Sequence, residues 1–155
     1  MKIFIDFDGC VIKQKELTED FETNHKILLD ENYELDEEFC NYVRSIFQKH
    51  DEIIVNTARS KRHKKFIRNV IMDSPLYGWC VNDPLTMEIP NQELFDVKML
   101  LAMLKLHNIY RLTNKYTKFV MIEDDLEILT LMKQLCVYEK GAFIHYIAPN
   151  KFICI

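Results

Sequence analysis

The sequence predicts an α/β domain with a mostly parallel central sheet. Two observations carry that expectation. Short apolar runs at residues 3–7, 52–56, 76–81 and 119–122 alternate with longer segments whose apolar residues recur at helical spacing. Polar residues also gather directly after three of those runs: Asp6 and Asp8, then Thr57 and Arg59, then Glu123, Asp124 and Asp125. If the strands are parallel, all three groups lie along one edge of the sheet, where open α/β sheets bind ligands.

Composition bounds the rest. The 155 residues suffice for one domain with a substantial core, and 48% of them are hydrophobic, which excludes a disordered chain. The net charge is -4 with lysine and arginine scattered, so no large basic block points to nucleic-acid wrapping, although a small local patch remains compatible with the sequence. The five cysteines are spread along the chain and never form a CxxC pair. This suggests free thiols in a reducing compartment. No apolar run has the length of a membrane span, and the N-terminus lacks a signal-peptide pattern. A cytoplasmic protein with no membrane partner is therefore expected. Only three Gly and four Pro leave little material for linkers, so residues 1–155 are expected to form a single domain.

The first run, within MKIFIDFDGCVI, reads as a buried strand ending near Asp6, with Gly9 allowing a sharp turn. A buried strand needs apolar residues; it has no use for two carboxylates at positions 6 and 8. Residues 13–36 are polar and charged, with Leu17, Phe21, Ile27, Leu28, Leu29 and Tyr33 interspersed, and suggest a flap or small lid within about residues 11–35. Phe39, Tyr42, Val43, Ile46 and Phe47 predict a helix over 36–49, with Asp36 at its N-cap and Glu37 and Glu38 in the first turn. Glu52–Asn56 is a short buried strand, followed by Thr57, Ala58 and Arg59. A helix is expected over 60–72, capped by Ser60, with Phe66, Ile67, Val70 and Ile71 inward. Its basic residues Lys61, Arg62, His63, Lys64 and Lys65 make either a solvated face or an attractive field for an anionic substrate.

Leu76–Val81 is expected as a third strand, ended by a turn at Asn82, Asp83 and Pro84. Pro90 and Asn91 precede a helix over 92–107 that is apolar almost all round and therefore needs burial against the sheet or a partner such as a second copy. Phe119–Ile122 is a strand ending in Glu123, Asp124 and Asp125. A helix follows over 125–136, for which Asp125 is a candidate cap. Further strands are expected within 137–145 and at 152–155.

Carboxylates converging on one cleft repel one another unless a cation lies between them. Oxygen-only ligation suits Mg²⁺, which keeps several waters and accepts one or two carboxylates plus a substrate phosphate. A carboxylate beside such an ion can attack a phosphoryl group, and a second can protonate the leaving oxygen and later activate water. The phosphoryl oxygens need donors: the Thr57 hydroxyl, backbone N–H groups after Asp6 such as that of Gly9, and a lysine, for which Lys98 is a candidate.

DFDGC at 6–10, VNTAR at 55–59 and VMIEDD at 120–125 together resemble the motifs of the haloacid dehalogenase-like (HAD) phosphohydrolases. The resemblance implies a three-layer Rossmann-like fold and a Mg²⁺-dependent phosphatase working through an aspartyl-phosphate. It gives Asp6 the nucleophile's place and Asp8 that of the general acid/base. It sets Thr57 on the phosphate and Arg59 beside it, with Lys98 as the motif lysine and Lys64 or Lys65 as the alternative. Asp124 aligns with the principal metal-binding acid, so that Asp6, Asp8 and Asp124 form the implied metal set. Cys10 departs from the usual Thr of the first motif, and the GDxxxD form of the last motif is absent, since Ile128 stands at its second acid.

The spacing between motifs leaves room for a flap but no large cap domain, so the chain resembles a capless or minimally capped member. An open cleft is compatible with a phosphorylated small molecule, such as a nucleotide, or with a phosphorylated polymer end. TAR with a short IEDD resembles phosphatase domains acting on polynucleotide 3′-phosphates. The alternatives are a phosphotransferase or protein phosphatase of the same fold, and a non-catalytic binding protein that retains it.

Overall fold

The computed structural model describes residues 1–14, 33–81, 83–89, 97–148 and 151–155. Its centre is a five-stranded sheet. Strands β1 (Lys2–Ile5), β4 (Glu52–Val55), β5 (Phe119–Glu123), β6 (Gly141–Ala148) and β7 (Lys151–Cys154) lie in the order β4-β1-β5-β6-β7. All neighbours are parallel except the β6–β7 pair. A separate antiparallel ribbon joins β2 (Ile12–Gln14) to β3 (Tyr33–Leu35). The expected flap falls mostly between these strands and lies outside the described residues, while its two ends meet in the ribbon.

Side-chain alternation explains how the sheet is covered. Ile3 and Ile5 of β1, Ile53 and Val55 of β4, and Val120 and Ile122 of β5 point to one face. There they pack on Phe39, Cys40 and Val43 of helix α1 (Glu37–Ile46) and on Ile67 and Val70 of α2 (Lys64–Met72). Phe4, Ile54, Phe119, Met121 and Phe143 point to the other face. They meet Ala102, Leu106 and Ile109 of α3 (Val97–Leu112) and Ile128, Leu129 and Met132 of α4 (Leu126–Leu135). The oily α3 is thus buried along its sheet-facing stripe, and Met103 remains 54% exposed.

Asp36 caps α1 as expected, its Oδ1 accepting the Phe39 N–H at 3.0 Å. Asp125 caps α4 through the N–H groups of Glu127 and Ile128. The helix expected over 60–72 begins as a 3-10 turn at Lys61–His63, and the Ser60 side chain makes no capping hydrogen bond.

Two expectations about the elements are corrected. Leu76–Val81 forms no strand: the N–H groups of Trp79 and Cys80 both donate to the Leu76 carbonyl, and Gly78 takes a φ of 79°. These local turns use up the groups a ladder would need. Among the described residues, single parallel bridges, Ile53 to Cys80 and Asn56 to Leu85, are what this part of the chain makes beside β4. The helix expected over 92–107 continues to Leu112, while its proposed start and the Pro90–Asn91 signal lie outside the described residues.

Candidate functional site

Strand β1 lies between β4 and β5, with Ile5 level with both Val55 and Ile122. The residues that follow each strand therefore converge: Asp6 in the centre, Asn56 and Thr57 on one side, Glu123 and Asp124 on the other. The Asp6 N–H still donates to Ile122 at 2.9 Å, and that of Asn56 to Ile5 at 2.8 Å, so the ladder carries the site's first residues rigidly. The chain reverses from β1 towards β4 on one side and β5 on the other, the kind of switch point at which open sheets form their crevice.

The loop after Asp6 is tight. Gly9 donates its N–H to the Ile12 carbonyl at 2.8 Å, and Ile12 donates to Phe7 at 3.1 Å. Gly9 was expected to help bind substrate, yet its N–H is committed inside this loop. Its role is steric: φ is +83°, and a Cβ there would stand 2.0 Å from Asp124 Oδ2. Only glycine admits both the backbone conformation and the approach of that carboxylate. Among the described residues, the N–H groups of Phe7 and Asp8 have no backbone acceptor, leaving two donors beside Asp6 for an anion.

The cation beside Asp6 is Lys105, not Lys98. Lys105 is 2% exposed in the middle of α3, and its Nζ donates to Asp6 Oδ1 at 2.9 Å and to the buried Glu123 carboxylate. Asn56 and Asn108 fix the helix at this height: Asn56 Nδ2 donates to the Lys105 carbonyl at 3.0 Å, and Asn108 Nδ2 to Asn56 Oδ1 at 3.1 Å. Lys98 shares the helix but sits two turns earlier, roughly 10 Å along the axis. It lies on the surface, where Nζ pairs with Asp125 at 3.1 Å and Glu127 at 2.9 Å. It thus ties the start of α3 to the start of α4. Of the alternatives, Lys64 pairs with Asp83 at 2.9 Å and Lys65 is exposed. The missed signal was burial: Lys105 interrupts the stripe of Ala102, Leu106 and Ile109, where a lysine needs buried acids.

Asp8 diverges from Asp6. Its carboxylate is gripped by Arg59, with Nε to Oδ2 and Nη2 to Oδ1 both at 2.8 Å. Arg59 is itself 10% exposed, and its guanidinium faces the Phe7 and Phe66 rings at 5.4 and 5.0 Å. Arg59 was expected on the substrate, and here it holds Asp8 instead. Its N–H donates to Thr57 Oγ1 at 3.2 Å, which links the Asp8 grip to the fully buried Thr57.

The acids compete for one ammonium. Burial and the Glu123 charge push Asp6 up to about 8 against the pull of Lys105. Burial and Asp6 push Asp124 up to about 6, and Glu123 is raised mainly by burial. Burial alone would lower Lys105, but Asp6 and Glu123 reverse this and hold it protonated. Asp124 is exposed as a residue, while its carboxyl turns inward onto Asp6 and Glu123. Its carbonyl lies 2.9 Å from His145 Nε2.

Negative charge in excess of the lysine is what a cation would relieve. Donor atoms of Asp6, Cys10 and Asp124 lie within 4.8 Å of one another. Two of the three acids expected to hold a metal, Asp6 and Asp124, are thus brought together. The Asp8 carboxylate does not join them, because Arg59 occupies both of its oxygens. Comparison with known protein families, with curated proteins and with solved structures finds no match for this chain.

Proposed function

We propose that the protein is a Mg²⁺-dependent phosphomonoester hydrolase with a three-layer, Rossmann-like HAD fold, acting through an aspartyl-phosphate. The observation that carries this reading is the buried Lys105–Asp6–Glu123 cluster, with Asp124 beside it, at the C-terminal end of β1. A lysine with two acids held at that point is costly to bury. Lys105 favours the ionised Asp6 that attacks, against the burial that raises Asp6 to about 8, and a bound cation would add to that pull and meet the negative charge of a phosphoryl group.

Asp6 attacks phosphorus through its carboxylate oxygen, and the bond to the ester oxygen breaks. Asp8, once released from Arg59 and protonated from solvent, gives that proton to the leaving oxygen. It then takes a proton from the water that attacks the aspartyl-phosphate, releasing inorganic phosphate and restoring Asp6. Lys105, the Thr57 hydroxyl and the Phe7 and Asp8 N–H groups offer donors to the phosphoryl oxygens. Asp6 and Asp124 would hold Mg²⁺, which when bound neutralises charge on the transferring group. The substrate class proposed is a nucleotide or a phosphorylated polynucleotide end.

A Mg²⁺-dependent screen over nucleotides, sugar phosphates, phosphopeptides and 3′- or 5′-phosphorylated oligonucleotides tests the reading. Turnover that Asp6→Asn abolishes supports it; turnover unchanged in Asp6→Asn refutes it. One observation favours a second reading, a non-catalytic binding protein: both Asp8 oxygens are held by Arg59. Phosphate binding with no turnover of any substrate class would favour that reading.

A further inference from the structure

Cys10 is fully buried, and its Sγ has no hydrogen-bond partner among the described residues. Packing accounts for a buried cysteine, which behaves as a small apolar side chain, and Cys10 does join the apolar cluster under β1. Packing does not account for the direction of its sulfur, which lies within 4.8 Å of carboxylate oxygens of both Asp6 and Asp124. The Gly9 backbone presses against Asp124 from the same loop, so the three donors are set around one small space.

We propose that Asp6, Cys10 and Asp124 form a site for a thiophilic divalent cation, Zn²⁺ being the biological example, with Cys10 as a direct ligand. Donors that now lie within 4.8 Å of one another would draw together by about an ångström to reach the ~2.0–2.3 Å bonds of tetrahedral zinc, with a fourth position open to water. As the metal–sulfur bond forms, the thiol proton passes to solvent, and no electron transfer is involved. Mg²⁺ has little affinity for sulfur, so Cys10 discriminates between the two classes of ion. A thiophilic ion held here would occupy the oxygens of Asp6 that attack in the proposed hydrolase. The inference rests on the same acid cluster as that reading but not on turnover.

Titration of the full chain with Cd²⁺, Zn²⁺ and Mg²⁺ tests it, using the ultraviolet sulfur-to-cadmium charge-transfer band as the direct readout. Cys40, Cys80, Cys136 and Cys154 are retained, so the band is read as the difference between wild type and Cys10→Ser. The expected result is loss of that component, with Zn²⁺ and Cd²⁺ binding weakened about tenfold or more and Mg²⁺ binding little changed. A band unaltered by Cys10→Ser, or Mg²⁺ affinity falling in parallel with that of Cd²⁺, would overturn the proposal. If Cys10→Ser does not fold, cadmium NMR of the wild type and of Asp124→Asn decides. A sulfur-shifted resonance lost in Asp124→Asn supports the site, and one retained there refutes it. Aryl-phosphate hydrolysis in Mg²⁺ is measured separately, so absent turnover with an intact band counts only against the hydrolase.

Discussion

Lys105 and Lys98 show how one helix assigns opposite fates to the same side chain. Lys105 is a buried ion-pair partner of Asp6 and Glu123, and removing it leaves both acids in the core without their cation. Lys105→Met is expected to cost about 3–5 kcal/mol in urea unfolding and to abolish any turnover that depends on Asp6. Lys98→Ala breaks only surface pairs to Asp125 and Glu127 and should leave both readouts nearly unchanged. Equal effects from the two substitutions would show that the lysine beside Asp6 has been misjudged. Gly9 is the second sensitive position. Gly9→Ala places a methyl 2.0 Å from Asp124 Oδ2 at a φ of +83°, so the loop or the carboxylate must move. A lower Tm together with weakened divalent-cation binding is expected, and an unchanged cation affinity would separate Asp124 from the cation site.

At the scale of elements, the amphipathic patterns were readable because each strand and helix buries one consistent set of residues. Phe39 and Val43 marked α1, and Asp36 and Asp125 were visible as caps from their position before an apolar stripe. What sequence patterns concealed was set by contacts distant in the chain. Leu76–Val81 has strand composition, yet Gly78 and the carbonyls of Ser74 and Leu76 turn it locally. Lys105 was hidden because its value depends on acids 99 and 18 positions away. Arg59 sits where its motif suggested, but its partner is Asp8, which no spacing rule indicates. Asp36 gives the element scale its own test. Burial would raise its carboxyl, but hydrogen bonds from Tyr146, the Phe39 N–H and Lys13 outweigh this and hold it below the usual range. A depressed folded-state value stabilises above the unfolded value, and that contribution disappears as pH falls through the folded one. Asp36→Ala is therefore expected to cost about 1–2 kcal/mol near neutrality and progressively less below about pH 4. A constant difference across that range would remove the charge of Asp36 from the account.

For the whole molecule, the balance of charge at the sheet edge predicts an unusual pH response. Asp6 at about 8 and Asp124 at about 6 both lie above their ordinary value of 3.8. Between roughly pH 4 and pH 8 the native state thus binds more protons than the unfolded chain, which makes the slope of stability against pH negative. Asp36 opposes this only at lower pH, and Lys105 stays protonated throughout the window. In the presence of a chelator, Tm should therefore fall as pH rises from about 5 to about 8. A divalent cation held by Asp6 and Asp124 binds the ionised native state and competes with those protons, so it should flatten or reverse the fall. The stabilisation by Mg²⁺ is then expected to be larger at pH 8 than at pH 5, and to vanish in Asp124→Asn. Thermal unfolding at both pH values, with Mg²⁺ and with chelator, reads this directly. A Mg²⁺ effect independent of pH, or one retained in Asp124→Asn, would locate the cation away from the acids that β1 and β5 bring together.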